Sequence, residues 1–183
     1  FFMANNKPKI IIAGGGMVGL SLARQLIDRE ITNRIIILEK EASLGCHSSG
    51  RNSGVLHAGI YYKPNSLRAK VCIEGSRRLI NWMEEKNLFI NKCGKLIIPQ
   101  QKNLDDKLSM LEKRGLENGA RVEMIDEKRI KKICPLVRTS SGRGLWSPNT
   151  CVVDPKVVLK TLESELLEKG VILKKSQDSW EVD

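Results

Sequence analysis

Ile10-Ile11-Ile12-Ala13-Gly14-Gly15-Gly16-Met17-Val18-Gly19 is the stretch on which the fold turns. A short apolar run of strand character enters three glycines and leaves them with helical spacing: Val18, Leu22 and Leu26, flanked by Ala23 and Ile27, form the expected inner face. A second apolar run, Ile35-Ile36-Ile37-Leu38, ends at Glu39, twenty residues after Gly19. Gly14, Gly16 and Gly19 therefore stand at G-x-G-x-x-G spacing inside a βαβ unit, with an acid where a dinucleotide ribose needs one. Gly14 is expected to turn the backbone from strand to helix, Gly16 to let a pyrophosphate approach, and Gly19 to bring helix and strand close. The first helical N–H groups, at Met17 and Val18, would face the phosphates, where the helix dipole favours negative charge. The Glu39 carboxylate can accept from ribose hydroxyls and repels a 2′-phosphate. An ordinary tight turn between strand and helix is the bland alternative, but it does not account for the acid after the second strand. No Gly-Lys-Ser/Thr follows the glycines, which excludes a mononucleotide P-loop.

Composition narrows the remaining classes. The 183 residues are 41% apolar and 28% charged, as in globular proteins, and no apolar stretch is long enough to span a bilayer. Five scattered cysteines without C-x-x-C, and two histidines without H-x-x-x-H, predict no disulfide framework and no metal centre, in a reducing cytoplasm. The net charge of +10 raises nucleic acid as a partner, but only 4% of residues are aromatic and the densest cluster, Lys128-Arg129-Ile130-Lys131-Lys132, reads as a solvated helix face. We expect no nucleic-acid partner. Attraction of anionic substrates, or peripheral attachment to the inner face of a membrane, is compatible with this charge.

Along the chain, strands are expected at Lys9 to Ala13, Arg34 to Leu38, residues 94–98 and residues 171–173, with a short one near Gly144-Leu145-Trp146. Helices are expected from Met17 to Arg29, Leu67 to Lys86, Leu104 to Asn118, Asp126 to Cys134 and Pro155 to Glu168. The second strand, apolar throughout, should be covered on both faces. In the third helix the inner face is expected at Leu104, Leu108, Leu111 and Leu116. Together these predict an α/β chain: a Rossmann-like dinucleotide-binding domain with an incomplete parallel sheet, plus part of an α+β substrate domain; the resemblance given below implies that the first is an FAD-binding domain. The expected divisions are a disordered lead at 1–7, the βαβ core and cofactor loop at 8–90, a partial substrate or cap domain at 91–150, and a truncated return to the first domain at 151–183. The last strand would be left as a sheet edge, so the chain is expected to be part of a longer protein.

Between Ser43 and Asn65 all periodicity stops, in a stretch too long for a simple connection. Small residues there let backbone pack against a flat ring, and Ser49, Asn52 and Ser53 offer donors to pyrophosphate or ring-edge atoms. Arg51 suits a phosphate or a substrate carboxylate, or else orders its own loop. One of the adjacent Tyr61 and Tyr62 is expected to meet substrate while the other packs, because neighbours in an extended segment point opposite ways. Lys95, on its short strand, reads as a surface charge. His47 reads equally as a structural residue or a ring-edge contact.

The run His47-Ser48-Ser49-Gly50-Arg51-Asn52-Ser53-Gly54-Val55-Leu56-His57-Ala58-Gly59-Ile60-Tyr61-Tyr62 resembles the D-amino-acid oxidase/glycerol-3-phosphate dehydrogenase class of FAD-dependent oxidoreductases. Within that class it is similar to the L-2-hydroxyglutarate oxidase/dehydrogenase family, as are Cys93-Gly94-Lys95-Leu96-Ile97, Asn118-Gly119 and Cys151-Val152-Val153-Asp154-Pro155 in the same order. The resemblance implies FAD as cofactor, a small 2-hydroxy acid as substrate, and oxygen or a quinone as electron acceptor. It also implies FAD contacts from Gly14, Gly16, Met17, Val18, Gly19, Glu39, Lys40, Ser49, Arg51, Asn52, Ser53 and His57, and substrate contacts from Tyr61 and Tyr62. Lys40 fits a flavoprotein habit of placing a cation beside the ribose-binding acid. For His57 the resemblance leaves non-covalent flavin contact, a base, covalent attachment and packing all open. Oxidation of an amine or amino acid, oxidation of glycerol 3-phosphate, and a non-catalytic dinucleotide-binding module stand as alternatives.

Overall fold

The computed structural model describes residues 9–179, so the expected disordered lead at 1–7 lies outside the described residues. In chain order the elements are β1 (Ile10–Ala13), α1 (Met17–Asp28), β2 (Ile35–Leu38), β3 (Val55–Leu56), α2 (Leu67–Glu85) and β4 (Lys95–Ile97). There follow a 3-10 turn at Lys102–Leu104, α3 (Asp105–Glu117), β5 (Glu123–Asp126), α4 (Glu127–Ile133), β6 (Arg143–Ser147), β7 (Cys151–Val152), α5 (Pro155–Glu168) and β8 (Ile172–Lys174). The described residues divide into two compact units, one of residues 9–53 with 154–179 and the other of residues 54–153. These divisions differ from those read in the sequence, at 90/91 and 150/151. Strand β3 pairs antiparallel with β7, and Asn91 bridges Val152, so residues 54–94 are tied to the second unit rather than the first.

The first unit carries a parallel sheet in the order β1-β2-β8, with Ile12 opposite Ile37 and Ile37 opposite Leu173. Strand β8 is an edge, as the sequence implied. Ile12, Ile35 and Ile37 share one face and are buried with Leu20 and Ala23 of α1 and Val158, Leu159, Leu162 and Leu166 of α5. The other face is not covered within this unit: Ile11 is 61% and Ile172 52% exposed. Within this unit the expected cover of β2 is present on one face, where α1 and α5 pack on each other. The inner face of α1 is corrected. It is Gly19, Leu20 and Ala23 that are buried, while Val18 (83%) and Leu22 are exposed, since the close approach at Gly19 rotates that side of the helix toward the sheet. Ion pairs from Arg24 to Glu165 (3.1 Å) and from Lys169 to Asp28 (2.9 Å) join α1 to the α5 end. Asp154 caps α5 by accepting from the Lys156 N–H, with Pro155 at the first helical position.

The second unit is built on the antiparallel order β4-β6-β5, with Ile97 and Met124 flanking Leu145. Ile60, Leu108, Val122 and Leu145 form its core, lined by Ala58, Ile97, Leu111, Ala120 and Met124. The short β5 escaped the sequence reading because its last residue, Asp126, is also the side-chain cap of α4, accepting from the Arg129 N–H. In α3, Leu116 is exposed and Gly115 takes the inward place, where a Cβ would come within 2.9 Å of Val122. Ser66 caps α2 by accepting from the Ala69 N–H.

Candidate functional site

In the first unit the glycine turn forms a cradle held together by backbone. The Gly14 N–H donates to the Leu38 carbonyl (2.7 Å), joining the end of β1 to the end of β2. Gly14 itself sits at φ 104°, a conformation that side chains disfavour, although the space around it is open. Its restriction is conformational rather than steric. A Cβ on Gly19 would overlap the Gly14 carbonyl oxygen and lie 3.3 Å from Ile12 Cγ2, so the close approach of helix and strand is literal. At Gly16 a Cβ would meet Ser49 Oγ at 2.9 Å. That hydroxyl accepts from the Met17 N–H (3.0 Å) and supplies the helix with the side-chain cap that glycine cannot give.

Glu39 directly follows β2 and is 9% exposed. Its Oε2 accepts from the Gly15 N–H (2.9 Å) and its Oε1 from the Glu41 N–H (3.0 Å). Gly15 fills a variable position of the G-x-G-x-x-G spacing. Yet a Cβ there would lie 2.6 Å from Leu44 Cδ2, and its amide anchors the acid. Close to the helix start, His47 Nε2 and Glu41 Oε1 are 2.8 Å apart, and this hydrogen bond holds the Glu41 carboxyl below its ordinary pKa. Asn52 donates to the carbonyls of Ser48 (3.1 Å) and Ser49 (2.9 Å), so its amide orders the loop that presents the Ser49 cap. The side chains of Val18, Lys40, Arg51 and Ser53 are exposed. Lys40 reaches Glu41 at 3.8 Å, and the Arg51 side chain makes no hydrogen bond or ion pair among the described residues.

This cradle suits the ADP half of a dinucleotide. The first turn of α1 carries no acidic residue, its N–H groups at Val18 and Gly19 have no intrahelical acceptor, and a nearly buried carboxylate follows β2. Gly14, Gly16, Met17, Gly19, Ser49 and Glu39 converge here, joined by Gly15.

His57, Tyr61 and Tyr62 belong to the second unit, where they line a small open hollow of about 40 Å3 with Gly59, Lys95 and Thr150. Partial burial of the imidazole, and after it the positive charge of Lys95, hold the His57 pKa below its usual value of 6.5. The Lys95 ammonium lies over the Tyr61 ring, 4.5 Å from its centroid. Both tyrosines line this hollow. The expected alternation fails because residues 59–62 form a turn, with the Tyr62 N–H donating to the Gly59 carbonyl (3.3 Å). The turn is held by Asn118, whose Nδ2 donates to the Gly59 (2.9 Å) and Tyr62 (3.0 Å) carbonyls. Lys95 and Thr150 were missed as pocket residues. Lys95 stands in the Cys93-Gly94-Lys95 signature, where Gly94, at φ 71°, leaves room for the Trp146 ring and donates its N–H to the Thr150 carbonyl (3.0 Å). Thr150 Oγ1 in turn lies 3.1 Å from Ser147 Oγ.

Residues 9–179 match the family described as FAD dependent oxidoreductase. The chain is 40% identical over 168 residues to a Dictyostelium discoideum protein named L-2-hydroxyglutarate dehydrogenase, mitochondrial, spanning 90% of this chain and 37% of that protein. The Homo sapiens protein of the same name is 40% identical over 165 residues, covering 88% of this chain and 35% of its own length. Among solved structures, dithionite-reduced L-alpha-glycerophosphate oxidase from Mycoplasma pneumoniae with FAD bound superposes with a TM-score of 0.80 at 26% identity, covering 92% of this chain and 44% of that one. The chain therefore spans somewhat over a third of the length of the curated relatives it matches.

Proposed function

The chain belongs to the family of FAD-dependent oxidoreductases, and from that premise we propose that it supplies the nucleotide cradle and part of the substrate pocket of an enzyme that oxidises L-2-hydroxyglutarate to 2-oxoglutarate. The observation that carries the substrate assignment is the 40% identity to proteins named for that substrate, extending across both compact units. The cradle supports the cofactor assignment: the Val18 and Gly19 amides would meet the pyrophosphate, and Glu39 the ribose. Ser49 acts by holding the Met17 end of the helix.

FAD, when bound, supplies an acceptor for the α-hydrogen of the substrate as hydride. This chain's residues bind and deprotonate. His57 is the assigned base. Its lowered pKa keeps the imidazole neutral at pH 7, with a lone pair free to take the proton of the substrate hydroxyl. Tyr61 and Tyr62 offer hydroxyls to substrate oxygens. Oxygen or a quinone would take the electrons onward. Lys40, Arg51, Asn52 and Ser53 are proposed as further contacts of the cofactor loop. Among the described residues no helix is long and apolar enough to cross a membrane. The relatives are named mitochondrial. For this chain we propose a reducing, cytoplasmic setting, with the basic surface available for peripheral contact with an anionic membrane.

Glycerophosphate oxidation is the second reading, favoured by the likeness to the Mycoplasma pneumoniae oxidase. Anaerobic mixing of the FAD-loaded protein with L-2-hydroxyglutarate, glycerol 3-phosphate, glycine and sarcosine separates the readings. L-2-hydroxyglutarate is expected to bleach the flavin. If it leaves the flavin oxidised while glycerol 3-phosphate or an amine bleaches it, the proposed substrate is wrong.

A further inference from the structure

The hollow of the second unit contains two basic side chains, His57 and Lys95, and no carboxylate. Some lysines of this molecule meet an acid, as Lys92 does with Glu84 (2.8 Å), Lys131 with Glu127 (2.7 Å) and Lys175 with Glu163 (2.6 Å). Lys95 has no carboxylate within ion-pair distance among the described residues. It is half-buried at the start of β4, opposite Ser147. Its ammonium is instead aimed by the face of Tyr61. A ring quadrupole can orient an ammonium, but it brings no compensating negative charge. The start of β4 is fixed as well, since the Gly94 N–H donates to the Thr150 carbonyl and Lys95 pairs with Ser147 of β6. A preoriented, uncompensated cation in a concave site is a receptor for an anion.

We propose that Lys95 is a specificity-determining residue that holds a carboxylate of the substrate beside His57. The chemical class this selects is a small carboxylic acid, and a dicarboxylate over a neutral alcohol or an amine. The assignment rests on the proposed function only for which acid is bound. The same lysine accounts for part of the lowered His57 pKa, so a bound carboxylate should oppose that effect. The other titratable group touching this residue is Cys72, whose Sγ donates to the His57 carbonyl (3.4 Å), and burial pushes that thiol's pKa up, so it stays uncharged at neutral pH.

The sequence holds only two histidines, so each ring can be followed separately by NMR of the FAD-loaded protein labelled with 13C-histidine. The probe is glutarate, which has no hydroxyl to oxidise. Glutarate should raise the His57 pKa saturably and leave His47, paired with Glu41, unmoved. Lys95→Met should raise the His57 pKa of the free protein and weaken glutarate binding by about tenfold or more, while Lys95→Arg keeps most of the affinity. The proposal is overturned if wild-type protein shows no saturable His57 response to glutarate, which needs no variant. It is equally overturned if Lys95→Met binds glutarate as wild type does. Flavin bleaching by L-2-hydroxyglutarate is read separately. A protein that binds glutarate through Lys95 but is not bleached by the hydroxy acid keeps this inference and loses the proposed reaction.

Discussion

The two candidate sites of this chain are made of different materials. The cradle of the first unit is mostly main chain: four glycine positions, a few amides and one nearly buried carboxylate. The hollow of the second unit is mostly side chain, drawn from three places in the sequence at residues 57–62, 95 and 150 and steadied by Asn118 from a fourth. A backbone site concentrates its requirements in a few consecutive positions, so it fails all at once when one is changed. A side-chain site divides its work, and its members should be separable.

The sharpest break in that contrast is Gly19→Ala. Its new Cβ would overlap the Gly14 carbonyl, and neither atom belongs to a flexible side chain. Overpacking against backbone should cost about 3 kcal/mol or more, and the purified protein should lose its flavin, read as colourless protein with a lowered Tm. In the other unit, His57→Asn should leave FAD bound and lower kcat by roughly 100- to 10,000-fold, the range for loss of a general base. A flavin lost on this substitution would assign His57 to the cofactor rather than to the proton.

The pH dependence follows with its sign. His57 must be neutral to act, and its folded pKa lies below 6.5. The ratio kcat/KM should therefore be level at neutral pH and fall as pH drops through that lowered value. Lys95→Met removes one of its two causes, so the acid limb should move upward in pH. An acid limb above 6.5 in wild type would contradict the assignment.

Smaller effects sharpen the comparison further. Asn118→Ala leaves the Gly59 and Tyr62 carbonyls without their donor and should cost about 1–3 kcal/mol by thermal unfolding, with KM raised because the tyrosine turn loosens. Ser49→Ala removes only the acceptor for the Met17 N–H. It should cost about 1 kcal/mol and weaken FAD binding several-fold, measured by titration of apoprotein. If Ser49→Ala proved as damaging as Gly19→Ala, the cradle would depend on side chains as much as the hollow does.

The sequence was most legible where residue type alone restricts the backbone. Gly14 and Gly19 were readable as a turn and a close contact, and the apolar run before Glu39 as a parallel strand, because φ preference and hydrophobic period are local properties. The caps at Asp126 and Asp154 rest on the same kind of local chemistry. Less legible were faces and partners. Val18 and Leu22 have the spacing of a buried stripe but are exposed, because one-sided packing of α1 against the sheet at Gly19 sets which side turns inward. Strand β5 was hidden because four residues pair with β6 from a position with no periodic signal of its own.

By itself, then, the chain determined a dinucleotide cradle, its acid and the alternation of strands and helices, all of which follow from short-range sterics and spacing. Only the tertiary structure decided that Glu39 is anchored by Gly15, that residues 54–94 join the second unit, and that Lys95 stands over Tyr61 beside His57. Those facts depend on which distant segments come together, and burial, ion pairing and pKa respond to distances in space that no spacing along the sequence encodes.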